Sequence, residues 1–165
     1  MTQLTKICFV RHGETDWNRC HLEMGSRDVP LNAHGLEQAS LAARRLQSKS
    51  IVQIVSSPLQ RASKTAEIVA ETLGKNITII HEFSEHGIDP KTNARESIET
   101  FEGRLKYALQ KALALTGPVL IVAHGDVYWT LQEILGILPD NLQNCQTVYC
   151  QPPLENDHLW TIHDL

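Results

Sequence analysis

The chain reads as an α/β protein, a three-layer sandwich with a mostly parallel central sheet and helices on both faces. Three observations predict this. Short apolar runs alternate along the chain with segments of helical spacing. The runs "KICFV" (6–10) and "PVLIVAH" (118–124) are almost continuously apolar, as strands covered on both faces must be. The length of 165 residues, with 42% hydrophobic and 21% charged content, suits one domain over residues 1–165 with a single substantial core.

The elements follow in order. "KICFV" is the first strand. The turn "DVPLN" (28–32) leads into a helix of roughly 34–48, because Leu36, Ala39, Ala43 and Leu46 recur at helical spacing. "IVQIVSS" (51–57) is the second strand. The helix after it has clear punctuation, with Ser57 at the N-cap, Pro58 at the first helical position and Gly74 just past the end. Its inward stripe is Leu59, Ala62, Ala66, Val69 and Leu73. "ITII" (77–80) is a short strand, and the polar "EHGIDPKTNAR" (85–95) is a loop. A helix from about 96 to 115 turns Ile98, Phe101, Leu105, Ala108 and Ala112 inward. After the strand at 118–124, Val127, Leu131, Ile134 and Leu138 mark the last helix. "TVYCQ" (147–151) and "HLWTI" (158–162) read as two final strands. Trp17, Trp129 and Trp160 read as core or rim aromatics.

Composition excludes several classes. A formal net charge of −4 provides no basic field for nucleic acid or an anionic membrane surface. The longest apolar stretches are too short to span a bilayer. The start, "MTQLTKICFV", lacks a small-residue cleavage site and reads as a strand rather than a signal peptide. Cys8, Cys20, Cys145 and Cys150 form no CxxC pair, so free thiols and a cytoplasmic location are expected. Neither a Walker-type glycine loop nor GxGxxG is present.

Three strands end in polar residues at their carboxyl ends. The first delivers Arg11-His12-Gly13, the second leads through Ser56 and Ser57 to Arg61, and the strand at 118–123 delivers His124-Gly125. In open α/β sheets, ligands sit in the crevice beyond those ends, so the three segments are expected to converge. Two arginines, two histidines and a helix N-terminus suit a phosphoryl group. A neutral imidazole is a competent nucleophile toward phosphorus, and a second, if protonated, stabilises charge on the equatorial oxygens. A nearby carboxylic acid can protonate the leaving alkoxide and later activate water. Glycine after each histidine allows backbone to approach a ligand closely. Taken singly, His12, Arg61 and His124 read as a satisfied strand-end group, a surface charge and a turn residue. Their shared placement is what favours a site. The remaining histidines, His21, His34, His81, His86, His158 and His163, fall on scattered loops, helix starts and a late strand, where surface roles outweigh metal binding.

On these residues the chain resembles the histidine phosphatase superfamily, also called the phosphoglycerate mutase-like family. "VRHGETDWN" (10–18) matches its signature, "DVPLNAHGLEQA" (28–39) its D-x-P-L-x-x-x-G-x-x-Q-A stretch, and "SSPLQRASKTAEIV" (56–69) its second arginine segment. "ESIETFEGR" (96–104) is similar to the stretch before its long helix, and "IVAHGDV" (121–127) to its second histidine segment. The resemblance implies that His12 is phosphorylated during turnover and that Arg11, Arg61 and His124 form the phosphate pocket. Asn18, Gly13, Thr15 and Gly125 then complete the substrate-binding set. No metal or other cofactor is implied. In the family the acid follows the third strand in a Leu-x-Glu pattern, which "FSE" (83–85) matches, making Glu85 the proton donor with Glu82 as the alternative.

Three departures bear on substrate. Leu22 and Met24 stand where many relatives carry Arg and Gln, leaving Arg27 as a substitute contact. Glu85 is followed by Gly87 rather than G-x-W-E-G, with only a short interval before Glu96, so no helical cap is expected and the crevice should be shallow and open. Asp126 stands where a small residue is common. An open crevice and the absence of a mutase-type arginine pair favour hydrolysis over phosphoryl return. The expected activity is a metal-independent phosphomonoesterase whose substrate is a phosphorylated small molecule or a phosphoprotein, including phosphohistidine. The alternative is a catalytically silent phosphate-binding module.

Overall fold

The computed structural model describes residues 6–88, 93–153 and 160–165. Along these the elements are β1 (Ile7–Arg11), α1 (Asp16–Arg19), α2 (Ala33–Leu46), β2 (Gln53–Ser56), α3 (Gln60–Leu73) and β3 (Ile77–Ile79). After a 3₁₀ turn (His81–Phe83) come α4 (Ile98–Leu113), β4 (Val119–Ala123), α5 (Gly125–Ile134), β5 (Thr147–Gln151) and β6 (Thr161–Asp164). The six strands form one sheet in the order β3-β2-β4-β1-β5-β6. β1 to β4 run parallel, and β5 and β6 are antiparallel to their neighbours.

Alternation within the central strands creates the three layers. Ile7 and Phe9 of β1, with Val119, Ile121 and Ala123 of β4, pack against Phe101, Leu105 and Ala108 of α4 and Val127 and Leu131 of α5. Cys8, Val10, Leu120 and Val122 point the other way, onto Ala43 and Leu46 of α2 and Ala66 and Val69 of α3. Successive side chains of a strand face opposite sides, so an unbroken apolar run is stable only between two helical layers. No described helix is long and apolar enough to cross a membrane.

The register brings three strand ends together. Arg11 pairs with Ala123, and Ser56 pairs with Val122. His12 N–H donates to the Ala123 carbonyl at 2.9 Å, and Ser57 N–H to the Val122 carbonyl at 3.1 Å. The residues that follow β1, β2 and β4 therefore emerge side by side.

Several elements differ from expectation. α3 starts at Gln60, and its first N–H is capped from a distance by Asp28, whose Oδ1 accepts from Gln60 N at 2.6 Å. Ser57 is thus not the N-cap, nor Pro58 the first helical residue. Gly74 ends the helix as expected, with a left-handed φ of 62°. Ile98 is 60% exposed because it opens α4 beyond the reach of the core, and Leu138 is 92% exposed because α5 has already ended at Ile134. Gly136, at φ 73°, turns the chain away there. α1 has no counterpart among the expected elements. The final strand lies later than expected, and residues 158–159 of that expectation fall outside the described residues.

The crossing of the chain after β1 over the start of α2 is tight enough to require glycine. A Cβ on Gly13 would run into the Gly35 carbonyl oxygen, and one on Gly35 into the Glu14 carbonyl oxygen. The chain after β1 is thereby pressed backbone to backbone on the start of α2. Gly35→Ala is expected to cost about 1–3 kcal/mol of stability, the usual range for overpacking a rigid contact. Denaturant unfolding would measure it, and an unchanged midpoint would show that the crossing relaxes freely.

Candidate active site

His12 and His124 meet beyond the sheet edge with ring centroids 5.3 Å apart and planes tilted by 58°. Both are buried, as are Ser57 and Arg61. His12 Nδ1 lies 2.7 Å from the Gly13 carbonyl, which can only accept, so Nδ1 carries the proton of the neutral ring and Nε2 keeps its lone pair. Burial, then the Arg61 and Arg11 charges, hold the His12 pKa well below its ordinary value, only partly opposed by the Gly13 hydrogen bond. His124 is lowered in the same way, by burial first and then by Arg61, His12, Arg104 and Arg11. A protonated second histidine is therefore disfavoured in these surroundings, because its neighbours are cations. His124 Nε2 instead shares a 2.7 Å hydrogen bond with the Ser57 hydroxyl.

The two guanidinium groups are anchored on backbone carbonyls. Arg11 Nη1 donates to Leu142 O at 2.7 Å. Arg61 Nη1 and Nη2 donate to Arg27 O and Gly25 O at 2.7 and 2.8 Å. Burial lowers both arginine pKa values, opposed first by the Glu85 carboxyl, yet guanidinium remains charged throughout the working range. Among the described residues, the buried side-chain polar atoms without a partner are Arg11 Nε, Arg61 Nε, His124 Nδ1 and Thr147 Oγ1. Leaving a buried donor unpaired costs about 1–3 kcal/mol, so three orphans within one side-chain cluster mark a place suited to an acceptor group.

Glu85 reaches the cluster from the loop after the 3₁₀ turn. Its Oε1 accepts from His86 N–H at 3.0 Å and its Oε2 from Asp126 N–H, in the first turn of α5, at 3.3 Å. Burial, followed by the Asp126 charge, pushes its pKa up to about 7, against the two N–H donors and Arg61. Glu82 instead pairs with Lys111 Nζ at 2.8 Å, and that contact lowers its pKa. Of the two glutamates, only Glu85 is drawn into the cluster. A cavity of about 540 Å³ opens beside it, bounded by residues including Leu59, Ser84, Ile88, Ser97 and Arg104.

The other expected contacts divide. Asn18 lies at the cluster's edge with its Oδ1 held by Thr15 N–H at 3.1 Å and Asn144 Nδ2 at 3.3 Å, which leaves its amide N–H₂ for a ligand. Thr15 is fully buried and its hydroxyl caps α1, accepting from Asn18 N–H at 3.1 Å, so it is a structural residue rather than a substrate contact. Met24, one of the departures, packs beneath it, with Thr15 Oγ1 3.2 Å from its sulfur. Arg27 contributes its carbonyl to Arg61, while its guanidinium lies over the Trp17 ring at 5.6 Å. The Gly13 requirement comes from Gly35 rather than from a ligand, and a Cβ on Gly125 would make only ordinary contact with the Arg11 guanidinium. His86 is stacked on Phe101 at 4.7 Å, away from the crevice surface. His158 lies outside the described residues.

Four participants carried little sequence signal. Ser57 looked like a cap. Asn144 Nδ2 donates to His12 O at 2.9 Å, and Cys145 N–H, in a left-handed conformation, donates to Arg11 O at 2.9 Å. Arg104 was visible only as the last residue of "ESIETFEGR". All four cysteines are free. Among the described residues no group of three or more His, Cys, Asp or Glu side chains could hold a metal ion.

A parallel α/β sheet presenting this histidine and arginine cluster at its carboxyl edge defines a class, and sequence comparison identifies it. The chain belongs to the histidine phosphatase superfamily (branch 1), whose family model matches residues 7–89. It is 35% identical to the uncharacterized phosphatase PhoE of Bacillus subtilis strain 168, over 98% of this chain and 94% of that protein. It is 41% identical over 71 residues to the Probable phosphoglycerate mutase GpmB of Serratia proteamaculans, covering 43% of this chain and 33% of that protein. The fold matches a mycobacterial glucosyl-3-phosphoglycerate phosphatase complexed with VO3, with a TM-score of 0.81 and 21% identity over 96% of this chain and 97% of that one.

A raised carboxyl pKa has a consequence for stability. Glu85 binds its proton more tightly folded than unfolded, so its favourable contribution is present below its ordinary pKa and is lost as pH rises through about 7. Glu85→Gln is expected to raise Tm at pH 8 more than at pH 4. Equal shifts at both pH values would show that the carboxyl ionises freely in the fold.

Proposed function

We propose that the protein is a metal-independent phosphatase that hydrolyses phosphomonoesters through a phosphohistidine at His12 Nε2. The observation that carries this reading is the set of unpartnered buried nitrogens, Arg11 Nε, Arg61 Nε and His124 Nδ1, in one cluster with a neutral imidazole whose Nε2 is free. His124 Nδ1 is a donor when its Nε2 accepts from the Ser57 hydroxyl.

In the first step the His12 Nε2 lone pair forms a bond to phosphorus and the bond from phosphorus to the ester oxygen breaks. Glu85, protonated below about pH 7, gives its proton to the departing oxygen. The Nδ1–H hydrogen bond to the Gly13 carbonyl stabilises the positive charge that the ring acquires. In the second step ionised Glu85 takes a proton from water, whose oxygen attacks phosphorus, and the P–N bond breaks to release phosphate. Arg11, Arg61 and His124 donate to the equatorial oxygens in both steps. Two guanidinium charges supply the electrostatic stabilisation that a metal ion provides elsewhere. Asn18 adds its amide N–H₂, and Gly125, at the first position of α5, lies against the Arg11 guanidinium.

We favour hydrolysis over mutase chemistry because a cavity adjoins Glu85, the group that activates water in the second step. The same cavity suits the alkyl or aryl portion of a phosphorylated small molecule. We place the enzyme in the cytoplasm, in keeping with four unpaired thiols.

His12→Gln is expected to lose at least about 10³-fold in kcat on 4-nitrophenyl phosphate and to form no acid-labile phosphoenzyme. Phosphate binding that persists in a wild-type protein lacking any turnover would instead favour the silent module. Activity should survive a chelator, and loss restored by a divalent cation would refute metal independence. A screen of small phosphate esters against phosphopeptides separates the substrate classes, and a strong preference for phosphopeptides would reassign the substrate to phosphoprotein.

A further inference from the structure

The proton donor proposed above does not sit on a helix or strand. Glu85 is in a loop, and its carboxylate accepts one hydrogen bond from the loop's own His86 N–H and one from the Asp126 N–H at the start of α5, so the loop must be held in place for the second to form. One side chain of α4 grips the backbone of residues 82–85. Arg104 Nη1 donates to Glu82 O and Ser84 O, each at 2.6 Å, and Nη2 donates to Glu85 O at 3.2 Å. The other edge of the same guanidinium makes a two-pronged pair with Glu96, Nε to Oε1 and Nη2 to Oε2, both at 2.7 Å. Its Cζ lies 4.6 Å from the centroid of the Phe101 ring. Glu96 in turn closes the far side of the loop, with its N–H donating to Gly87 O at 2.8 Å and its carbonyl 2.9 Å from His86 Nε2.

We propose that Arg104 is the positioning residue of the proton donor, clamping residues 82–85 to α4 so that the Glu85 carboxyl meets the leaving oxygen. The inference rests on the reading of Glu85 as general acid. A rigid fork is needed for the task. Guanidinium can bind three carbonyls and both oxygens of a carboxylate at once, whereas a lysine ammonium has three donors and no planar edge. A proton transfer also tolerates little displacement, since donor and acceptor must lie within hydrogen-bond reach.

The test uses kcat/KM, which reports the first chemical step, on two esters of similar shape. Phenyl phosphate has a leaving group that needs protonation, and 4-nitrophenyl phosphate has one that hardly does. Glu85→Gln should lose about 10²-fold or more on phenyl phosphate and far less on the nitro ester. Arg104→Lys should show the same selectivity, with about 10-fold loss on phenyl phosphate and near wild-type kcat/KM on the nitro ester, and should add nothing to that ratio in the Glu85→Gln background. Equal losses on both esters would show that Arg104 merely supports the fold and would overturn the inference. Should Arg104→Lys fail to fold by circular dichroism, Glu96→Gln decides. A selective loss on phenyl phosphate supports the clamp, and an equal loss refutes it. If Glu85→Gln is itself unselective, the general-acid reading fails and takes the clamp with it. If Glu85→Gln is selective while neither clamp variant is, the clamp alone fails.

Discussion

Burying two guanidinium groups beside two imidazoles is the constraint that the rest of the structure answers to. Burial, and then Arg61 and Arg11, depress the His12 and His124 pKa values, and among the described residues neither arginine forms an ion pair with a carboxylate. They are held instead by neutral carbonyls, Leu142 O for Arg11 and Gly25 O and Arg27 O for Arg61. A carbonyl fixes the direction of a guanidinium without cancelling its charge, so the site stays cationic. The segment at 142–145, which supplies the Leu142 carbonyl, is fastened in turn by Cys145 and Asn144 to the Arg11 and His12 backbone, and the chain after His12 is itself pressed on α2 at the Gly13–Gly35 crossing.

The acidic side of the site has the opposite logic. Glu85 faces cations that favour its ionised form, yet burial and Asp126 outweigh them and bring it to about 7. Asp126 is one of the positions where this chain departs from the family pattern, and here the departure has a physical effect. Its carboxylate raises both the Glu85 and Arg11 pKa values, while its own N–H steadies the Glu85 carboxyl. Met24, another departure, fills space beneath α1 rather than facing a ligand. The third is the short interval after Glu85, whose Gly87 and Ile88 line the cavity beside that residue.

Much of the fold was legible in the chain. The runs at 6–10 and 118–124 could only be doubly covered strands, and the spacing of Ala62, Ala66 and Val69 could only be a helix facing the sheet. The errors fell at element ends. Ser57 has the chemistry of an N-cap, but its hydroxyl is taken by His124, and Asp28 from a distant turn caps α3 instead. Ile98 and Leu138 continue an apolar stripe past the point where there is core to cover. Local pattern cannot report such cases, because competition for a hydroxyl and the edge of a core are set by residues far along the chain.

The sequence by itself determined the layer architecture, the three strand ends that carry chemistry, and the types of residue at them, since periodicity and residue chemistry are local properties. Only the tertiary structure decided which nitrogen of His12 is free, which of Glu82 and Glu85 joins the cluster, and that Thr15 serves α1. It alone tied the Glu85 loop to Arg104. Each of these depends on which partner arrives from another element, and hydrogen-bond partners, burial and the pKa shifts they cause exist only once parallel pairing has brought those elements together.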